Sequence, residues 1–246
     1  MKDGRIPVAI QLYSLRDVIG NDVPGTLKQI AEMGYEGVEF AGYYDLSGEE
    51  LRAILDENGL KCAGSHVGLP LLEGDVLAET VATNKALGTD RLIIPGADLD
   101  ALDDTIRRMN EAYTAAKAVG MRVGYHNHMK EFETVDGVTK FERIFGETPD
   151  DFLVQVDIGW ATAAGQDVPA LLRKYSKRIE TVHIKEFHPD DKTAVVGEGT
   201  VQWPAMMEIL ETETVAQWYI VEQEQFAIGS MESAKGCIDN IRKIGR

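Results

Sequence analysis

Four apolar runs in the second half of the chain turn polar at their C-terminal ends: RVGYHNHMKEF (122–132), LVQVDIGW (153–160), TVHIKEF (181–187) and WYIVEQE (218–224). Short runs of this kind read as buried strands. A second pattern accompanies them. A helical stretch ends at a glycine and an apolar strand starts a few residues later: Gly34 before 37–40, Gly59 before 61–65, Gly88 before 91–94 and Gly120 before 122–125. Glycine suits the position just past a helix end, which often needs a positive φ. Ser47 with Glu50 has the spacing of a capping box, and Pro24 suits a first helical turn with Leu27, Ile30 and Ala31 on the apolar face. Strands are therefore expected at 7–12, 37–40, 61–65, 91–94, 122–125, 153–157, 181–185 and 218–221. The later helices are expected at 101–118, 137–146, 168–175, 203–211 and 230–243.

Eight strands alternating with helices predict a parallel (β/α)8 TIM barrel, a single domain over residues 1–246. A doubly wound open sheet would fit the alternation too, but no glycine-rich phosphate fingerprint follows the first strand. No linker or low-complexity segment divides the chain.

Side-chain alternation then selects candidate chemistry. Leu153, Gln155 and Asp157 share one parity, as do Thr181, His183 and Lys185, and Ile220, Glu222 and Glu224. If these parities face the lumen, Asp157, His183 and Glu222 meet at the C-terminal barrel end, where such folds keep their chemistry. Taken singly, His183 reads as a hydrogen-bonded core histidine and Asp157 as a turn cap. Together, two carboxylates and an imidazole around a cation compensate charges that would each be costly to bury alone. His126, His128 and Glu131 each offer a fourth ligand, and the remaining two are left for substrate. His126 and His128 also suit acid–base work near neutral pH. Lys185 either stabilises an oxyanion or neutralises a neighbour such as Glu186. Gln11, Glu39, His66 and Trp160 are candidate substrate contacts, each with a purely structural alternative. Oxygen-rich ligation with one imidazole favours Mn2+ or Mg2+, with Co2+, Zn2+ and Fe2+ also compatible.

Composition narrows the partners. The formal charge is 25 − 41 = −16, which repels nucleic-acid backbones and anionic membrane surfaces. No apolar run reaches the roughly 18 residues of a membrane span, and the N-terminus lacks a signal-peptide core. Cys62 and Cys237 lie in no CxxC motif and read as buried free thiols, which suits a cytoplasmic setting. The expected partner is a small molecule. The sequence does not address whether the chain forms a homo-oligomer.

VDIGWATAAGQD, TVHIKEF, GEGTVQW (197–203) and VEQE, together with QLYSLR near the start, resemble the xylose-isomerase-like barrel superfamily of sugar phosphate isomerases and epimerases. YHNHMKEF is similar to the branch containing inosose-dehydratase-like and 3-keto-glycoside-processing proteins. The resemblance implies that Asp157, His183 and Glu222 are metal ligands. A glutamate usually ends the strand that here reads GYHNH, and His126 stands in its place. Glu131, from the following loop, is the expected replacement. The implied activity is a metal-dependent isomerase or epimerase acting on a small sugar or keto-sugar through an enediolate, with Glu131, Glu222, His126, His128 and Lys185 as the catalytic groups. A lyase or dehydratase is the alternative, and a catalytically silent sugar-binding protein a weaker one. The superfamily also includes an apurinic-site endonuclease. That activity needs a histidine-rich multi-metal site and a basic track, which a −16 chain with five histidines does not provide. No P-loop or arginine cluster marks a phosphate site.

Overall fold

A computed structural model describes residues 5–245. Its strands are β1 (Val8–Gln11), β2 (Gly37–Phe40), β3 (Lys61–His66), β4 (Arg91–Ile94), β5 (Arg122–His126), β6 (Thr134–Val135), β7 (Val138–Thr139), β8 (Leu153–Asp157), β9 (Thr181–Ile184) and β10 (Trp218–Val221). Eight of them close a parallel barrel in the order β1-β10-β9-β8-β5-β4-β3-β2, while β6 and β7 form a separate antiparallel pair. The helices are α1 (Val23–Met33), α2 (Gly48–Glu57), α3 (Val76–Leu87), α4 (Leu102–Ala118), α5 (Lys140–Gly146), α6 (Ile158–Ala163), α7 (Val168–Lys174), α8 (Trp203–Glu213) and α9 (Ser230–Lys243). This is the (β/α)8 barrel expected from the alternation.

The local signals act as read. Ser47 and Glu50 close a reciprocal capping box at the start of α2. Gly34 and Gly88 end α1 and α3 with φ of 99° and 82°. One expected helix is corrected: 137–146 begins only at Lys140, because 134–139 is a hairpin. Asp136 and Gly137 both carry positive φ at its turn, and Asp-Gly is a strong hairpin-turn pair. The short helix α6, directly after Asp157, has no counterpart among the expected helices.

The outward parities of the strands pack on the helices in one continuous core, with Val154, Val156, Val182 and Ile184 all fully buried. A smaller cluster of Ala9, Ala63, Trp218 and Ile220 is separate from that core. A Cβ on Gly37 would lie 2.9 Å from the Trp218 ring, so glycine there leaves room for the indole. At the N-terminal end, Arg91 bonds to Glu180, Gln217 and the Ala63 carbonyl, while Arg122 bonds to Asp90 and Glu180. These side chains cork the barrel at the end away from the candidate site.

Candidate active site

A register shift between Val38 and Glu39 in the pairing of β2 with β3 sets Glu39 opposite Gly64. The Glu39 carboxylate is fully buried and collects four neighbours. Gln11 donates to it at 2.8 Å and Gln155 at 2.7 Å, while His183 Nε2 stands at 2.7 Å and His66 Nε2 at 3.1 Å. Burial works to raise this carboxyl, but His66 and His183 outweigh it and hold it well below the usual range. Above this layer, His183 Nδ1 lies 3.1 Å from Glu222 Oε2 and 4.0 Å from Asp157 Oδ2. Burial disfavours the imidazolium, yet Glu39 and Glu222 push the His183 pKa up to about 10.

His126 completes the group. Its Nε2 lies 3.9 Å from Glu222 Oε2. One ligand atom from each of His126, Asp157, His183 and Glu222 lies within 4.8 Å of the others, and all four residues are buried. Both His126 nitrogens and Asp157 Oδ2 are buried without a hydrogen-bond partner. A buried polar atom is rarely left so. Asp157 does cap α6, but only through Oδ1, which accepts the Trp160 N–H at 2.7 Å. Burial, then the neighbouring His183 and His66, holds His126 well below its ordinary pKa, leaving the neutral imidazole that a metal requires. Burial likewise moves Asp157 up to about 7, against the pull of Lys185. Three carboxylates, Glu39, Asp157 and Glu222, are thus buried beside the Lys185 ammonium and the protonated His183. The orphaned donor atoms, gathered with carboxylates and a second imidazole at one point, fit a divalent cation, which would take the place of the His183 proton. A second group of three, His66, His126 and His183, is equally close, but His66 Nε2 is already engaged by Gln155 and Glu39.

The structure brings together Asp157, His183 and Glu222 as expected. It does not bring Glu131 to them. The Glu131 carboxylate is buried elsewhere, accepting the Tyr125 hydroxyl at 2.6 Å and the His128 backbone N–H at 2.8 Å. Tyr125 has the parity opposite to His126 and packs edge-on against Phe145 of α5. Glu131 therefore turns back onto the outer side of β5, and His126 takes the place expected for it. Gln11 and Glu39, expected as substrate contacts, are fully buried beneath the four-residue group and line neither neighbouring cavity.

His66, His126, His128 and Glu222 line a cavity of about 480 Å3, walled by Tyr13 and Tyr43. The His128 ring sits 4.9 Å from that of His126 and 5.9 Å from Trp160, and burial holds it below its ordinary pKa. Lys185 bonds to Glu224 at 2.7 Å and lies 5.1 Å over the Trp160 ring. Asn127 plays a part that alternation concealed. Its side-chain oxygen accepts the Asp157 N–H at 3.0 Å and its amide reaches the Asp157 carbonyl at 3.5 Å. The amide continues the β5–β8 pairing one step beyond its last ladder pair, His126 with Gln155.

The chain belongs to the xylose isomerase-like TIM barrel family, which it matches over residues 27–243. It is similar to the rhizopine catabolism protein MocC of Rhizobium meliloti, 24% identical over 251 residues covering 84% of this chain and 77% of that protein. Inosose dehydratase of Geobacillus kaustophilus is 25% identical over 264 residues, covering 84% of each chain. A sugar phosphate isomerase/epimerase of Parabacteroides distasonis shares the fold with a TM-score of 0.82, at 21% identity over 96% of this chain and 93% of that one.

Proposed function

We propose that this chain is a divalent-metal-dependent enzyme that moves a proton next to the carbonyl of a small sugar or keto-sugar, giving isomerisation or epimerisation through an enediolate. The observation that carries this reading is the buried group His126, Asp157, His183 and Glu222, with its unpartnered nitrogens and oxygen beside a cavity of about 480 Å3. These four residues would hold the cation. When bound, it supplies the Lewis acidity that makes a hydrogen next to a carbonyl acidic. Glu39 holds His183 in orientation through Nε2, as outer carboxylates do for metal-binding histidines. His128 lines the same cavity and is the group we assign to accept and return the proton. Two imidazoles and two carboxylates favour Mn2+, Fe2+, Co2+ or Zn2+, and His126 in place of a carboxylate weakens the case for Mg2+.

A second reading, dehydration of a keto-polyol, has the support of similarity to inosose dehydratase over 84% of the chain. Both reactions begin with loss of the same proton. They part afterwards, at reprotonation in the first and at loss of a hydroxyl in the second.

The test is turnover of keto-sugars and keto-inositols by metal-loaded protein in deuterated water, with products read by NMR. Deuterium next to the carbonyl of an isomeric product supports the first reading, and a product lacking the elements of water supports the second. Turnover with complete retention of the substrate hydrogen rules out the proton route. A chain that takes up no divalent cation defeats the metal assignment.

A further inference from the structure

None of the described residues lining the cavity of about 480 Å3 is lysine or arginine, and its charged wall is acidic, formed by Glu222 and Glu224. The ammonium next to that wall is already committed. Lys185 Nζ lies 2.7 Å from Glu224 Oε1 and 3.8 Å from Glu222 Oε2, and the Trp160 ring covers it at 5.1 Å. Lys185 is buried, so it holds Glu224 in one orientation. Glu224 also lines a second cavity of about 150 Å3, shared with Trp160, Lys185, Asp191 and the exposed Lys192. It stands where the two spaces adjoin, two residues past Glu222 and with the same parity.

Such a carboxylate accepts charge-assisted hydrogen bonds from neutral hydroxyls. To a phosphate it presents like charge, which disfavours binding. We infer that Glu224, oriented by Lys185, contacts the substrate: it hydrogen-bonds hydroxyls of an uncharged polyhydroxy ligand and discriminates against its phosphate ester. This assignment rests on the metal-dependent reading for the ligand's other anchor.

The experiment titrates full-length chain with Mn2+ and then, by calorimetry, with ribulose, ribulose 5-phosphate and a keto-inositol. Wild type, Glu224→Gln, Lys185→Met and the double variant are compared. Glu224→Gln should take up Mn2+ as wild type does and bind the uncharged ligands at least about tenfold more weakly, the loss of one charge-assisted bond. Wild type should prefer ribulose over its phosphate ester, and Glu224→Gln should narrow that preference. The double variant should bind no more weakly than Glu224→Gln, because Lys185 acts through Glu224. Equal affinity of loaded wild type and Glu224→Gln overturns the inference. So does tighter binding of the phosphate ester by wild type, failure of the loaded wild type to bind any of the three, or loss of Mn2+ uptake in Glu224→Gln. A wild type that takes up no Mn2+ overturns the metal reading together with this one, and that result is read before any sugar is added.

Discussion

His126 and Glu131 show how far single residues can be read from a strand pattern. Alternation places His126 on the lumen side with Asp157, His183 and Glu222, and there it lies. Glu131 sits beyond the strand, where alternation no longer applies. A 3-10 turn over Lys130–Phe132 carries it back to Tyr125 on the outer side. Glu131→Gln should therefore leave Mn2+ affinity within about threefold of wild type. His126→Asn should lower it by more than the ~10–100-fold typical of losing an outer partner. Calorimetric or EPR titration separates the two, and a Glu131→Gln protein that loses its metal would return Glu131 to the ligand set. Asn127 was hidden for another reason: its role depends on the register in which β8 lies beside β5, which strand alternation does not set. Asn127→Ala frees the Asp157 backbone from both of its side-chain bonds, so metal affinity should fall by about 10–100-fold with the fold intact by circular dichroism. Unchanged affinity would show that Asp157 is held well enough by its place in β8.

At the scale of elements, apolar runs and glycine stops were legible because each barrel strand is buried on both sides and each helix must end before it. The exception, 134–146, mixes two signals within a few residues. Thr-Val-Asp-Gly-Val-Thr is a hairpin, and Thr139 with Glu142 opens α5 by a capping box. Thr139→Ala should cost about 1 kcal/mol of stability in urea unfolding, as expected for a lost cap, and should leave metal affinity unchanged. Cys62 on β3 and Cys237 on α9 are both free and buried, and burial pushes each thiol up to about 12. A thiol reagent at pH 8 should find no reactive group in the native chain and both after unfolding. Rapid native labelling would mean that one of these elements opens readily.

For the molecule as a whole, closing the barrel gathers metal-ligand side chains from several strands at one point. A cation bound only by the folded state should raise stability by about 2.7 kcal/mol at a hundredfold excess over Kd. A thermal scan with and without Mn2+ reads this directly, and a chelator should reverse it. An unchanged midpoint would count against the assigned ligands. The cork of Arg91, Arg122, Glu180 and Gln217 at the other end has a kinetic consequence. With the N-terminal end filled, both cavities that reach the site lie at the C-terminal end, and product leaves by the end at which its precursor arrived. Substrate and product then contend for the same vestibule, and added product should inhibit competitively, raising KM in proportion to its concentration while leaving kcat where it was.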